Sequence, residues 1–187
     1  MNAITLTPPV TGKSGSPIVP LKHRKDCPSA RSLFASIMAK QDFGPIIRTL
    51  VREQVASDAD EAQNLLQAFV QWYATGSVTK TKSFVMFVGK VDQVFHTMIL
   101  NSKWYMAFCL ATTGVYTHHE PIAETGLTDE EIMDAALYTT RLLESTWGVD
   151  LNPHLQAYVE KVKAGNYDAA TVSCPSSDTI FNIVLTQ

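Results

Sequence analysis

The chain has 187 residues, 45% of them hydrophobic, which is enough to build the core of one domain. Its formal net charge of −3 supplies neither the basic surface of a nucleic-acid groove nor an attraction to anionic membranes. No apolar run approaches the roughly 20 residues that a membrane span requires.

Residues 1–28 are dominated by Pro, Gly, Ser and Thr without an apolar period, so an extended leader is expected, disordered or packed as an arm on a neighbouring subunit. Residues 1–19 do not resemble a secretory signal: no early positive region precedes an apolar core, and Pro8, Pro9 and Pro17 interrupt the stretch. Lys22-His23-Arg24-Lys25 is a short basic cluster that reads as solvated charge, with contact to a phosphate or acidic partner as the alternative. Cys27, Cys109 and Cys174 are odd in number and far apart, which favours reduced thiols in a cytoplasmic protein, while a single disulfide stays compatible with the spacing.

From Ser29 onward the pattern is helical. Ser29 is suited to cap a helix with Leu33, Phe34, Ile37 and Met38 on its buried face. Gly44 interrupts, and Pro45 suits the first turn of a second helix burying Ile46, Ile47, Leu50, Val51 and Val55. Asp58, Asp60 and Glu61 open a third with the sign its N-terminal dipole prefers. Ala62, Leu65, Leu66, Phe69, Val70 and Tyr73 line its core side, and Gly76 is placed to end it. Ser83–Val88 is rich in β-branched and aromatic residues and predicts a short strand.

A helix follows from about Val91 to Leu100, with a break at Asn101-Ser102 and Ser102 capping the next, which runs through Cys109 and Leu110. Gly114–Gly126 reads as a loop. Thr128-Asp129-Glu130-Glu131 is a capping box for a helix that buries Ile132, Met133, Ala136, Leu137, Leu143 and Trp147 and ends at Gly148. Asn152-Pro153 starts a last helix with Leu155, Tyr158, Val159 and Val162 inside, stopped by Gly165. The expected architecture is mainly α: six to seven helices in one compact, bundle-like domain over residues 29–170. An extended tail, 171–187, follows, and a short β pair is expected between residues 83–88 and 179–186.

Chemistry-bearing residues concentrate between 91 and 121. Asp92 and His96 are four apart on a helix, about 40° from each other around its axis, so the carboxylate can orient the imidazole and raise its basicity. These two are the catalytic candidates, and an ordinary surface or half-buried pair is the plain alternative. Cys109 follows His96 by thirteen residues, about 220° around an unbroken helix, so the two meet only if the chain turns at Asn101-Ser102. Otherwise Cys109 is a small core residue beside Tyr105 and Phe108. His118 and His119 are loop neighbours whose side chains should diverge.

His96, Cys109, His118 and His119 are thus the metal-ligand candidates. One imidazole from the pair, with His96 and Cys109, would give zinc or iron three ligands and an open position. No Cys-x2-Cys pair supports a structural zinc site, and the Glu-x-x-His repeats of di-iron bundles are missing. No Gly-rich phosphate loop, Gly-x-Ser-x-Gly elbow or His-Glu-x-x-His motif is present, so no cofactor-binding residues are assigned. Asp129, Glu130 and Glu131 read as helix N-terminal acids, and Trp72, Trp104 and Trp147 read as core rather than a platform for bases.

Val91, Asp92, His96, Ile99, Tyr105, Cys109, Gly114, His118 and His119 occur in an order that resembles the glycine-rich-domain-containing-protein-like family. The likeness covers about 30 residues. It departs at Phe95, where that family favours Trp, and at Met98, where it favours a second His. The resemblance implies a helical domain in which Asp92, His96, Cys109 and His118 or His119 belong to one site, and the missing second His counts against a metal there.

The first functional expectation is a helical binding or scaffold domain with an Asp92/His96/Cys109/His118 polar cluster locking its conformation, and a protein or peptide as partner. The alternative is a zinc- or iron-dependent or His-based enzyme using His96, Cys109 and His118 or His119. A third reading makes the leader and the tail docking arms, with residues 179–186 adding to a sheet edge.

Overall fold

The computed structural model of the chain describes residues 29–79, 84–119 and 126–166, together with the backbone of 172–176. Among the described residues there are seven α-helices and one two-stranded antiparallel sheet. The helices are α1 (Ala30–Lys40), α2 (Gly44–Arg52), α3 (Ala59–Val78), α4 (Lys90–Leu100), α5 (Ser102–Thr112), α6 (Asp129–Trp147) and α7 (Pro153–Lys163). The strands are β1 (Phe84–Phe87) and β2 (Val172–Ser176). The mainly α expectation therefore holds. No described helix is long and apolar enough to cross a membrane.

The fold is organised around α3. Asp58 caps it by accepting from the Glu61 amide, and Asp60 and Glu61 occupy its first turn. The sequence pattern assigns α3 one buried side. In the structure every residue from Ala68 to Thr75 is buried, because α1, α2, α4, α6 and α7 all pack against this one helix.

Burial on all sides leaves the polar residues of α3 in need of partners. Gln71 donates from Nε2 to the Asp150 carbonyl (2.9 Å) and accepts the Asn152 amide on Oε1 (2.8 Å). Thr75 Oγ1 accepts from Trp147 Nε1 at 2.9 Å. Both tie α3 to the corner between α6 and α7. There Gly148 takes φ 53°, a short 3-10 turn covers Gly148–Asp150, and Asn152 caps α7. Arg31, on α1, closes the same corner from outside by donating to the Thr146 and Trp147 carbonyls (2.8 and 2.7 Å) and to Asp150 (2.7 Å). These are carbonyls that the end of a helix leaves without an internal partner.

Gly76 does not end α3. The helix continues to Val78, and a Cβ at Gly76 would lie 2.8 Å from Phe84 Cδ1. Glycine is there to let β1 approach the helix. The four residues of β1 are all buried, in alternation. Phe84 and Met86 join the main core with Phe69, Trp72 and Phe95, while Val85 and Phe87 enter a second cluster with Ile132, Ala135, Ala136 and Val162. Trp72 Nε1 donates to the Val85 carbonyl (2.8 Å), and the Val85 amide donates to Thr139 on α6 (2.9 Å).

The partner of β1 is β2, with Phe84 opposite Ser176 and Met86 opposite Cys174. It lies N-terminal to the segment expected to pair, and 179–186 is outside the described residues. So are the leader, 1–28, and Glu120 and Pro121.

A sharp entry sets α4. Gly89 has φ 153°, and a Cβ there would fall 1.8 Å from Tyr158 Oη, which donates to the Val88 carbonyl (3.0 Å). The break between α4 and α5 occurs where expected, but Asn101 rather than Ser102 occupies the cap position. Its Nδ2 donates back to the Thr97 carbonyl (2.8 Å), satisfying the end of α4 instead of the start of α5.

Candidate metal centre

Three side chains from two separate segments converge on the outer side of α4. Val91, Val94, Phe95 and Met98 face the core. Asp92 is in the first turn, where a carboxylate suits the helix dipole, and its side chain is only 8% exposed. A carboxylate that far from water needs polar partners. One is His96, a helical turn later, with Nδ1 3.7 Å from Asp92 Oδ2. The other is His119, with Nε2 3.3 Å from Asp92 Oδ1. The His119 ring lies between Phe95 (centroids 4.8 Å apart) and His96 (4.4 Å, 30° between planes).

The loop after α5 delivers His119. Thr113 ends the helix, Gly114 turns the chain at φ 78°, and Thr113 Oγ1 donates to the Val115 carbonyl (3.0 Å). Tyr105 Oη donates to the Thr117 carbonyl at 2.6 Å, and Tyr116 meets Tyr105 edge-on at 5.2 Å. The two neighbouring histidines then part: His119 turns to Asp92, and His118 turns to the edge of Tyr116 at 4.8 Å.

Asp92, His96 and His119 each offer one ligand atom, all within 4.8 Å of one another. Metal–ligand bonds of about 2.0–2.2 Å put donor atoms about 3–4 Å apart, so the cluster is slightly open for an ion. The adjustment falls on His96, whose side chain is 52% exposed, while Asp92 and His119 are held at 8% and 9%. Two imidazoles, which are borderline donors, with one harder carboxylate oxygen suit zinc or iron(II), and three protein ligands leave coordination positions toward solvent beside His96.

The structure does not bring Cys109 or His118 into this group. The chain breaks between α4 and α5 as a shared site would need, but Cys109 is fully buried in the main core. Burial pushes its thiol up, outweighing the lowering influence of Thr117, Tyr105 and Tyr73. Among these buried groups Tyr73 is pushed up to about 12 and Tyr105 is raised strongly, in both cases first by burial and then by the neighbouring Cys109. Cys109 lies outside the ligand cluster and packs as a small core residue.

Met98, where the family likeness would place a second His, is a fully buried core position. The second imidazole beside Asp92 comes from the loop. The helical period marks Asp92 as an orienting group for His96, and its sharing between two histidines has no counterpart in the sequence pattern. Phe95, which backs His119, and Tyr105, which anchors the loop, are marked in the sequence only as an apolar helix face and as positions of the family likeness, with nothing to indicate these roles. Glu131 sits in the capping box, accepting on its carboxylate from the Thr128 amide (2.8 Å), in the role expected of an N-terminal acid.

These features define a mainly α-helical protein with a two-histidine, one-carboxylate cluster. Comparison with known proteins finds no matching family model, no matching curated protein and no matching solved structure.

Proposed function

We propose that the protein is a helical binding domain that takes one divalent transition-metal ion, zinc or iron(II), on Asp92, His96 and His119. The observation that carries this reading is the convergence of one ligand atom from each within 4.8 Å, two from α4 and one from a loop 23 residues beyond His96. The family likeness of residues 91–121 groups Asp92, His96 and His118 or His119 with Cys109 in one site, and its missing second His counts against a metal. A bound ion would neutralise Asp92 and join the loop to α4. A water in an open position would be acidified by the metal, which makes metal-assisted hydrolysis the reaction class if the centre is catalytic. A reducing cytoplasm, and a protein or peptide partner rather than nucleic acid, remain part of this proposal.

The test is metal analysis of untagged protein by plasma mass spectrometry, beside His96→Ala and His119→Ala. Close to one equivalent of zinc or iron, lost in both variants, is the expected result; metal retained by both would sink the assignment.

One observation favours a second reading, a metal-free clasp in a scaffold domain. His119 and Asp92 are already within 3.3 Å of each other. In that case no metal is found, and His119→Ala costs about 1–3 kcal/mol by leaving a buried carboxylate short of a partner.

A further inference from the structure

We propose that the groove at the corner between α6 and α7 is a docking site for residues 17–25 of this same chain. This docking is independent of the metal centre.

The groove encloses about 800 Å3 between the end of α6 and α7. Val149, Leu151, Pro153 and Ala157 give it an apolar wall, and its two charged lining residues, Glu144 and Glu160, are both acidic. Val149 is fully exposed on the turn between the helices. An apolar surface rimmed by polar groups is the usual make-up of a contact site. Lys163 bonds Glu144 at 2.8 Å, whereas Glu160 receives the neutral amide of Gln156, a donor that leaves its negative charge in place.

The start of α1 lies at the same corner. Arg31, in its first turn, donates to the Thr146 and Trp147 carbonyls (2.8 and 2.7 Å) and to Asp150 (2.7 Å), and Gly148, Val149 and Leu151 of the groove flank these partners. Ser29 therefore enters the fold within about an arginine's length of the groove. Upstream of it the sequence reads Pro17-Ile18-Val19-Pro20-Leu21, then Lys22-His23-Arg24-Lys25. That is an apolar block joined to a basic one, the complement of an apolar wall with acids on its rim. Fully extended, the chain from Ser29 reaches about 24 Å to Lys22 and about 40 Å to Pro17, so length does not limit the approach. The tether makes docking intramolecular, which lets a modest contact suffice, and Pro17 and Pro20 reduce the freedom that docking removes.

The test is paramagnetic broadening in the full chain. Ser16→Cys with Cys27→Ser and Cys174→Ser carries one nitroxide, because Cys109 is fully buried. Broadening of the Val149, Leu151 and Ala157 amide signals is expected, and its loss in Val149→Ser with Glu160→Lys. Both of these residues are exposed, and an unchanged urea midpoint checks that the fold is intact. Arg24→Glu with Lys25→Glu, which leaves the helices untouched, should lose the broadening as well. A leader that is tethered but undocked would broaden the corner equally in all three proteins, and that result, or no broadening at all, overturns the proposal. Spin-labelled chain mixed with isotope-labelled, nitroxide-free chain reports docking onto a second copy. Broadening confined to that mixture would overturn docking within one chain.

Discussion

Asp92 is shared by two imidazoles, and its replacement separates the two readings of the cluster. Changes to residues that merely support a ligand cost about 10–100-fold in metal affinity, so Asp92→Asn, which removes a ligand charge, is expected to cost at least about 100-fold. Zinc competition titration measures it; an affinity within a few-fold of wild type would remove Asp92 from the ligand set. Gly89 is the other residue with one acceptable identity. It sits at φ 153°, and a Cβ added there would fall 1.8 Å from Tyr158 Oη, so Gly89→Ala must move Tyr158 or the start of α4. Strain and overpacking of this kind cost about 2–6 kcal/mol together, read as a lowered urea midpoint. At this scale the sequence paired two of the three residues of the centre and named the third, His119, only as one of two loop candidates. Asp92 and His96 are one helical turn apart, and the helical period alone brings them together. His119 is 27 residues from Asp92, and no local rule links them.

Helix termini follow local chemistry, and two of them carry predictions. The Thr128–Glu131 capping box is complete, so Thr128→Ala is expected to destabilise the protein by about 1 kcal/mol in chemical denaturation. Gly76→Ala sets two effects against each other. Alanine improves helix propensity by about 1 kcal/mol. Its methyl would stand 2.8 Å from the buried Phe84 ring, and overpacking costs about 1–3 kcal/mol, so net destabilisation is expected from the same measurement. A stabilised Gly76→Ala protein would show that β1 yields easily. The starts of α1, α2, α3, α6 and α7 are legible because Ser29, Pro45, Asp58, Thr128 and Asn152-Pro153 act within one turn. The end of α3 is not, because glycine serves two purposes, ending helices and admitting close neighbours. Only the position of Phe84 decides between them.

Across the molecule, Glu61 at the start of α3 bonds Lys90 at the start of α4, which fixes the helix bearing the candidate ligands against the central one. Lys90 first, then the Ser57 amide and hydroxyl, lower the Glu61 carboxyl from an ordinary 4.5 to about 2. Because the folded value lies below the unfolded one, the contribution to stability is full above the ordinary carboxylate range and is lost as pH falls toward about 2. Glu61→Gln should therefore lower the urea midpoint at neutral pH and flatten its decline between about pH 4.5 and 2. A parallel pair of curves would show that the bond adds nothing. Zinc at 100 times its dissociation constant should add about 2.7 kcal/mol to unfolding, with a melting temperature that rises with zinc concentration, and neither effect should survive in His119→Ala.

The amino-acid order by itself determined a mainly α chain, most helix starts, the strand at residues 84–87 and the Asp92–His96 pair. Each depends on contacts within a turn or two, where side-chain chemistry and helical period suffice. Tertiary structure decided that α3 is surrounded rather than one-sided, that β1 pairs with residues 172–176, that His119 joins Asp92, and that Cys109 is turned inward. Those outcomes depend on how separate segments divide the space around one buried helix, and on a loop whose direction is set by Gly114, Tyr105 and the Phe95 ring, none of which a periodicity records.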